Sequence, residues 1–298
     1  MIKNGVFIED TFAEAFGMRA TRLVVTADSP LWAEIAAASL TGFATSVIGC
    51  GVEAGIERSL SSDETPDGRP GVAILMFAVS SAELAKQVIL RVGQSILTSP
   101  GSACFSGLDA EESVPLGRSL RFFGDGDQIA KKILDKRYWR VPVMDGEFLV
   151  EDSTGMIRAV GGGNFLVLGR TKAGCLAATE RAVAAMRTLP NIIMPFPGGI
   201  VRSGSKVGSK YPKLSASTNS GYCPSLRGLP ASQLPIEVEA VLEVVIDGMS
   251  EADVRLAMRT GILALCAQGE RDGIVAVTAG NYGGKLGKFH FPLREIVS

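Results

Sequence analysis

Hydrophobic and polar positions along this chain switch between two spacings, and the switches lay out its elements. A period near two marks a half-buried strand, and a period near 3.6 marks a helix facing a core. Apolar runs at 22–26 and 72–79 read as strands, with helical patterns at 30–39 and 81–92 following them. Further strands are predicted at 43–48 and 94–98, and the turn-rich SLSSDETPDGRPG (59–71) falls between the two strand–helix–strand units. Near the N-terminus, IEDTFAEAF (8–16) holds Thr11 and Glu14 at capping-box spacing, which predicts a short helix. Residues 117–160 change character, since FFGDGDQ, YWRVPV and GEFLVEDS read as short alternating strands between Gly and Asp turns. The earlier order then recurs: strand 165–168, helix 173–186, strand 192–196, strand 237–247, helix 251–267 and strand 274–278. A last strand is expected at 285–291.

Two halves that each hold two strand–helix–strand units predict an α+β chain of two ferredoxin-like lobes related by duplication. The expected division is an N-terminal lobe over 1–150 and a C-terminal lobe over 151–298, the latter carrying a long Gly-rich loop and the strand around Glu243. A faint echo supports the duplication, GNF at 163–165 and GNY at 280–282. The competing architecture is a doubly wound α/β sheet, but no GxGxxG follows the first strand. GSKVGSK (204–210) lacks the Gly-Lys-Ser/Thr ending of a phosphate loop, and GNYGGKLG (280–287) is a residue short and lacks the hydroxyl.

Composition narrows the chemistry. The chain has 298 residues, 46% hydrophobic and 20% charged, with a formal net charge of −1, so it can build a generous core and has no compositional disorder. A mean hydropathy of +0.25 suggests apolar surface covered by other subunits. The longest strongly apolar run, 72–79, is far short of a membrane span. Acidic residues interrupt MIKNGVFIEDTF where a signal peptide needs its apolar region, so a cytoplasmic protein is expected. Five scattered cysteines without a CxxC argue against a disulfide framework or a thiolate zinc site, and Cys223, alone in a polar loop, is read as structural. The single histidine, His290, excludes a His-rich metal site, so no metal is expected and the chemistry falls to carboxylates, backbone dipoles, Lys or Tyr.

The polar stretch PFPGGIVRSGSKVGSKYPKLSASTNSGY (195–222) stands out against this background. Loops of that length in a compact chain usually bind something. Between Arg181 and Ile236 there is no Asp or Glu, while Arg181, Arg187, Arg202, Lys206, Lys210, Lys213 and Arg227 supply seven positive charges. Such a field, with glycine-freed backbone N–H groups, suits an anionic ligand; a flexible linker with incidental lysines is the plain alternative. A nucleic-acid surface fits poorly, because aromatic interleaving is missing. After the loop, VLEVVIDG buries Glu243 among Val241, Leu242, Val244 and Val245. A carboxylate there is unfavourable unless protonated or partnered, which makes Glu243 a candidate for a raised pKa and proton transfer. Glu237 and Glu239 share its alternation parity and better fit a solvent-facing or ion-paired role.

Eleven segments in order over nearly the whole chain then carry a resemblance. They are IEDTFAEAF (8–16), TGFATSVI (41–48), EAGIE (53–57), ETPDGRPGV (64–72), FFGDG (122–126), GEFLVEDS (146–153), GGNF (162–165), PFPGGIVRSGSKVGSK (195–210), STN (217–219), YCP (222–224) and AGNYGGKLG (279–287). The chain resembles the formylmethanofuran:tetrahydromethanopterin formyltransferase family of one-carbon metabolism. Archaeal members are typically strongly acidic, so the near-neutral charge looks like the bacterial methylotroph form, the formyltransferase subunit of a formyltransferase/hydrolase complex. The resemblance implies a homotetramer, active sites in clefts at subunit contacts, and methanofuran and tetrahydromethanopterin (or its dephospho form) as carrier substrates. A non-catalytic scaffold subunit of a larger formyl hydrolase complex is the alternative.

The resemblance also implies that Glu243 is the catalytic glutamate. Ser203, Ser205, Lys206, Ser209 and Lys210 are then candidates to grip the carboxylated substrate tails, against the alternative of solvated charges. Asn164, Asn219 and Asn281 are candidates to hydrogen-bond the formyl oxygen or the pterin edge, though Asn beside Gly is often a turn residue. Tyr222 and Tyr282 are candidates to stack on the pterin or furan rings, with packing as the alternative. Asp67 and Arg69 read as a tail contact, a subunit contact or a plain Pro-Asp-Gly turn.

Overall fold

The computed structural model describes residues 1–133 and 135–298. They pack as two units, Met18–Ala159 and the discontinuous Met1–Gly17 with Val160–Ser298. Packing therefore places the first residues with the C-terminal half, where a boundary at 150/151 assigns them to the N-terminal lobe. Backbone pairing is the reason: Val6–Ile8 adds in parallel to Ile274–Thr278, which no local pattern signals.

In the unit Met18–Ala159, the strand that starts as Phe12–Thr26 leads through helix Pro30–Thr41 to strand Glu53–Leu60. Strand Gly71–Ala78, helix Ser81–Arg91 and strand Ala103–Ser106 complete the motif. The antiparallel order is Glu53–Leu60, Gly71–Ala78, Phe12–Thr26, Ala103–Ser106, the split β-α-β order of a ferredoxin-like sheet. Gly146–Glu151, Lys136–Val143 and Ile129–Ile133 then extend the sheet. Phe77, Phe105 and Phe148 are fully buried here.

The unit of Met1–Gly17 and Val160–Ser298 repeats the plan. Strand Ser153–Gly169 leads through helix Lys172–Met186 to the short strand Ile192–Ile193. Strand Ala240–Gly248, helix Glu251–Cys266 and strand Ile274–Thr278 follow. Their order is Ile192–Ile193, Ala240–Gly248, Ser153–Gly169, Ile274–Thr278, again antiparallel throughout. Helix N-caps Thr171 and Ser250 accept the backbone N–H groups of Gly174 and Asp253, each three positions on, and the helices bury Ala178, Ala182, Ala257 and Met258 against Phe165. The polar loop spans 194–239, between the second and third strands of this motif. In the other unit the same connection is only residues 61–70.

Four predicted elements fold otherwise; one is FFGDGDQ (122–128), where Phe122 and Phe123 lie in the helical turn Arg121–Gly124 and Asp125 ends it at φ +52°, so the next strand starts only at Ile129. Residues 12–16 are strand, because Phe12–Ala15 pairs with Phe289–Pro292, and this overrides the helix preference of Ala and Glu. Residues 43–48 are not strand: Phe43 takes φ +53°, Ser46 caps the helical turn Val47–Cys50, and Gly51 ends it at φ +75°. The strand is instead Glu53–Leu60, an edge strand whose solvent face carries charge and so hides its pattern. The segment 94–98 continues the preceding helix as a π turn over Val92–Ile96, and Ala103–Ser106 fills the strand position. The strands expected over 192–196, 237–247 and 285–291 are shorter, as Ile192–Ile193, Ala240–Gly248 and Phe289–Pro292.

Arg69 anchors the 61–70 connection by bonds to Asp67 Oδ2 (2.9 Å), Asp28 Oδ1 (2.8 Å), Thr26 Oγ1 (3.2 Å) and the Gly101 carbonyl. Asp67 in turn accepts from Thr26 Oγ1 at 2.8 Å, so this Pro-Asp-Gly turn is an internal clamp. Replacing Arg69 by Met should lower stability by about 2 kcal/mol in urea unfolding, since Asp67 loses its main charge partner in a half-buried site. Because Lys cannot reproduce the forked donor geometry, Arg69→Lys should recover less than half of that loss.

Candidate active site

Strand Ala240–Gly248 turns alternate side chains to opposite faces. Val244 and Ile246 enter the core under the two helices. On the other face Val241 packs with Leu166, Leu168, Ala276, Val238, Leu234 and Tyr222, the last three supplied by the long loop. Glu243 lies on that face. The loop is fastened at the same residue: Val201 N–H donates to the Glu243 carbonyl at 2.8 Å, and Glu243 N–H donates back at 2.9 Å. Glu237 and Glu239 precede the strand; Glu237 lies 3.9 Å from Arg170 and Glu239 is exposed.

A pocket of about 380 Å³ opens over this strand, floored by Leu166, Val241 and Glu243 and walled by Val201–Gly204, Asn219 and Tyr222–Ser225. An adjoining pocket of about 930 Å³ shares Lys172, Val201, Arg202, Ser203, Pro224 and Val241 and continues along Phe196 and Leu176. Glu243 is half-buried, and burial pushes its carboxyl up to about 7. Among the described residues no bond or opposing charge offsets that burial. Near neutral pH it is therefore poised to hold or release a proton.

Tyr222 lines the pocket, and Tyr282 lies beside it, next to Ser205 of the loop. Burial, then the Glu243 charge, raises the Tyr282 hydroxyl, which is within hydrogen-bonding reach of Ser205. Tyr222 is raised by burial and bonds to Thr278. Ser203 and Asn219 line the cavity, and Asn219 also receives the Tyr222 N–H at its carbonyl. Of the sequence-predicted residues, Glu243, Ser203, Asn219 and Tyr222 line one pocket, and Ser205 and Tyr282 lie together beside it.

The other predicted residues do not line this pocket. Asn164 donates to the Gly162 and Gly280 carbonyls (both 3.1 Å) and accepts the Gly280 N–H (2.6 Å), so its amide is a strut between strand and turn. Asn281 donates to Thr11 Oγ1 and to the Phe12 carbonyl, both at 3.2 Å, and accepts from Gly283. Lys206 opens the hairpin of Lys206–Val207 with Ala216–Ser217 and gives its ammonium to Ser220 Oγ at 2.8 Å. Ser209 accepts the Tyr211 N–H and Lys210 is exposed, both in the connection of that hairpin rather than on the pocket wall.

Sequence reasoning missed Lys172 and Arg202 as pocket cations and Glu14 as a buried anchor. Arg202 was visible as a loop charge, whereas Lys172 lies on a helix start that only folding brings to the loop. Among the described residues no group of three His, Cys, Asp or Glu is placed to hold a metal, and no helix is long and apolar enough to cross a membrane.

Comparison with known proteins agrees over the full length. Residues 1–143 match the family described as formylmethanofuran-tetrahydromethanopterin formyltransferase, and residues 146–296 match the proximal lobe of that enzyme. The formylmethanofuran–tetrahydromethanopterin formyltransferase of Methylobacillus flagellatus is 62% identical, with all of both chains covered. One subunit of the formyltransferase/hydrolase complex of Methylorubrum extorquens is 54% identical over 99% of this chain and 96% of its own. The crystal structure of that complex with methylofuran superposes at a TM-score of 0.98, covering 100% of this chain and 99% of that one. The formyltransferase of Methanosarcina barkeri superposes at 0.92 with 45% identity, covering 99% of this chain and 100% of that one. The chain belongs to the formylmethanofuran–tetrahydromethanopterin formyltransferase family.

Proposed function

We propose that this chain transfers a formyl group reversibly between the amine nitrogen of methanofuran (or methylofuran) and N5 of tetrahydromethanopterin, with Glu243 managing the proton. The observation that carries this reading is a carboxyl at about 7 on the floor of a pocket beneath a cationic loop. In the direction toward the pterin, N5 attacks the formyl carbon and a tetrahedral intermediate forms. Its C–N bond to the furan amine then breaks. The proton lost from N5 must reach the departing furan nitrogen, and a neutral Glu243 delivers one proton there and is recharged by the other. The reverse reaction uses the same steps backwards.

Ser203 and Asn219, which line the pocket with Glu243, and Tyr282 Oη beside Ser205 are the donors for the oxygen that gains charge in the intermediate. No covalent enzyme adduct is needed, because holding both carriers together supplies most of the rate. Arg202 and Lys172 form no ion pair among the described residues and so remain available to carboxylates or phosphates on the carrier tails. The tail-gripping role thus centres on these two, with Lys206 and Lys210 farther along the loop. The working assembly is a homotetramer or a formyltransferase/hydrolase complex of the kind named for the Methylorubrum extorquens relative.

Purified chain carrying Glu243→Gln should lose at least about a hundredfold in kcat with KM nearly unchanged. Retained turnover would remove the carboxyl from the reaction, and an inactive parent chain would favour a scaffold role. The rate of the parent should fall as pH rises through about 7, a limb absent from the residual activity of the variant. Stability gives an independent reading of the same group. Its folded pKa lies above the usual 4.5, so the parent loses stability as pH climbs from 4.5 to about 7. Glu243→Gln should be the more stable protein at pH 8, by roughly 2 kcal/mol, and no more stable at pH 4. Raising ionic strength from about 50 to about 500 mM should increase KM for the furan carrier several-fold, and Arg202→Met should flatten that response.

A further inference from the structure

A second buried carboxyl, Glu14, takes no part in that proton transfer and is 0% exposed. It sits on strand Phe12–Thr26 opposite His290, and the turn 282–287 curls around it. Its Oε2 accepts the N–H groups of Tyr282 (2.7 Å) and Gly284 (2.8 Å). Its Oε1 accepts those of Leu286 (2.6 Å) and Gly287 (2.5 Å). Burial opposes ionisation, but these four amide bonds outweigh it and bring the carboxyl down to about 2, so Glu14 is an anion at every working pH. Gly283 and Gly284, at φ +77° and +71°, allow the backbone to wrap that tightly. At Gly287 a side chain would lie 2.4 Å from the Ala15 carbonyl.

Tyr282 is the first residue of this wrapped turn and the one whose hydroxyl lies by Ser205 and the Glu243 charge. Its ring centroid is 5.9 Å from that of Phe16, two residues after Glu14 on the same strand. Asn281, just before it, is tied to Thr11 and Phe12. One short strand segment therefore fixes the backbone that aims Tyr282. We propose that Glu14 is a positioning residue for formyl transfer, its carboxylate gathering the 282–287 turn so that the Tyr282 hydroxyl is held beside Ser205, on the loop that walls the Glu243 pocket. This rests on Glu243 managing the proton. The groups facing Glu243 are Tyr282 and, around the shared pocket, Arg202, Lys172 and Glu239. Around Glu14 they are the four amides and His290 across the strand pair, with Lys285 and Lys288 in or beside the turn.

The test is steady-state kinetics with pH profiles on Glu14→Gln, Tyr282→Phe and the double variant. Gln keeps the shape but offers an N–H₂ where two amides need an acceptor. Glu14→Gln should lower kcat by about tenfold to a hundredfold, leave both KM values within about twofold, and move the limb near 7 in the direction Tyr282→Phe moves it. The double variant should fall little below the worse single variant, because both act through one hydroxyl. Gly283→Ala is the second probe, should Glu14→Gln not fold: its methyl meets open space and only strains the turn, and it should move the same limb. An unmoved limb in folded Glu14→Gln, or in Gly283→Ala, overturns the proposal, as does a double variant whose losses multiply. Full activity of Glu243→Gln would instead sink the proton-transfer reading, whereas an inactive Glu243→Gln beside an unaltered Glu14→Gln sinks only this one.

Discussion

Two backbone hydrogen bonds between Val201 and Glu243 tie the site together. They fasten the long loop to the sheet at the residue whose side chain faces the pocket, so one contact forms the wall and desolvates the floor. A loop held elsewhere would leave Glu243 on an open sheet face, where water would keep it an ordinary carboxylate. The residues after the bond, Arg202 and Ser203, are thereby delivered to the pocket rim. Further along, the same loop supplies Tyr222, Leu234 and Val238 as the apolar cover.

Glu14 and Glu243 show how one residue type is driven in opposite directions. Both lose water, but Glu14 meets four amides and is held at about 2, while Glu243 meets none among the described residues and rises to about 7. The first becomes a permanent structural charge and the second a group that titrates where cells live. Stability follows the same division. The Glu14 contribution is complete above pH 4.5 and is lost as pH falls toward 2, whereas Glu243 weakens the fold only as pH rises from 4.5.

Duplication gives both units the same connection between their second and third strands, and the two are used differently. In Met18–Ala159 it is short and locked by Arg69 to Asp67, Asp28 and Thr26. In the other unit it lengthens to 194–239 and leaves Arg202 without an ion pair among the described residues. The fold supplies the platform, and the chemistry lies in what is grafted onto that one connection.

Much of this was written in the chain's own pattern. Glycine and polar crowding marked 195–222 as a binding loop, and a glutamate inside VLEVVIDG marked itself, because burial of an apolar strand and the anomaly of a carboxylate in it are both local facts. The two strand–helix–strand repeats were legible for the same reason, since periods of two and 3.6 depend only on which face is buried. What lay beyond it were long-range partners. IEDTFAEAF has the composition of a helix, yet strand pairing with Phe289–Pro292 decides it, and only then does Glu14 meet the amides of a turn far along the chain. Asn164 and Asn281 read as ligand donors, and only the folded chain shows the backbone partners that their amides hold. The sequence by itself determined which segments seek burial and which residues carry charge. The tertiary structure decided which carboxylate finds donors and which is left without them, because hydrogen-bond satisfaction depends on neighbours that local patterns cannot name.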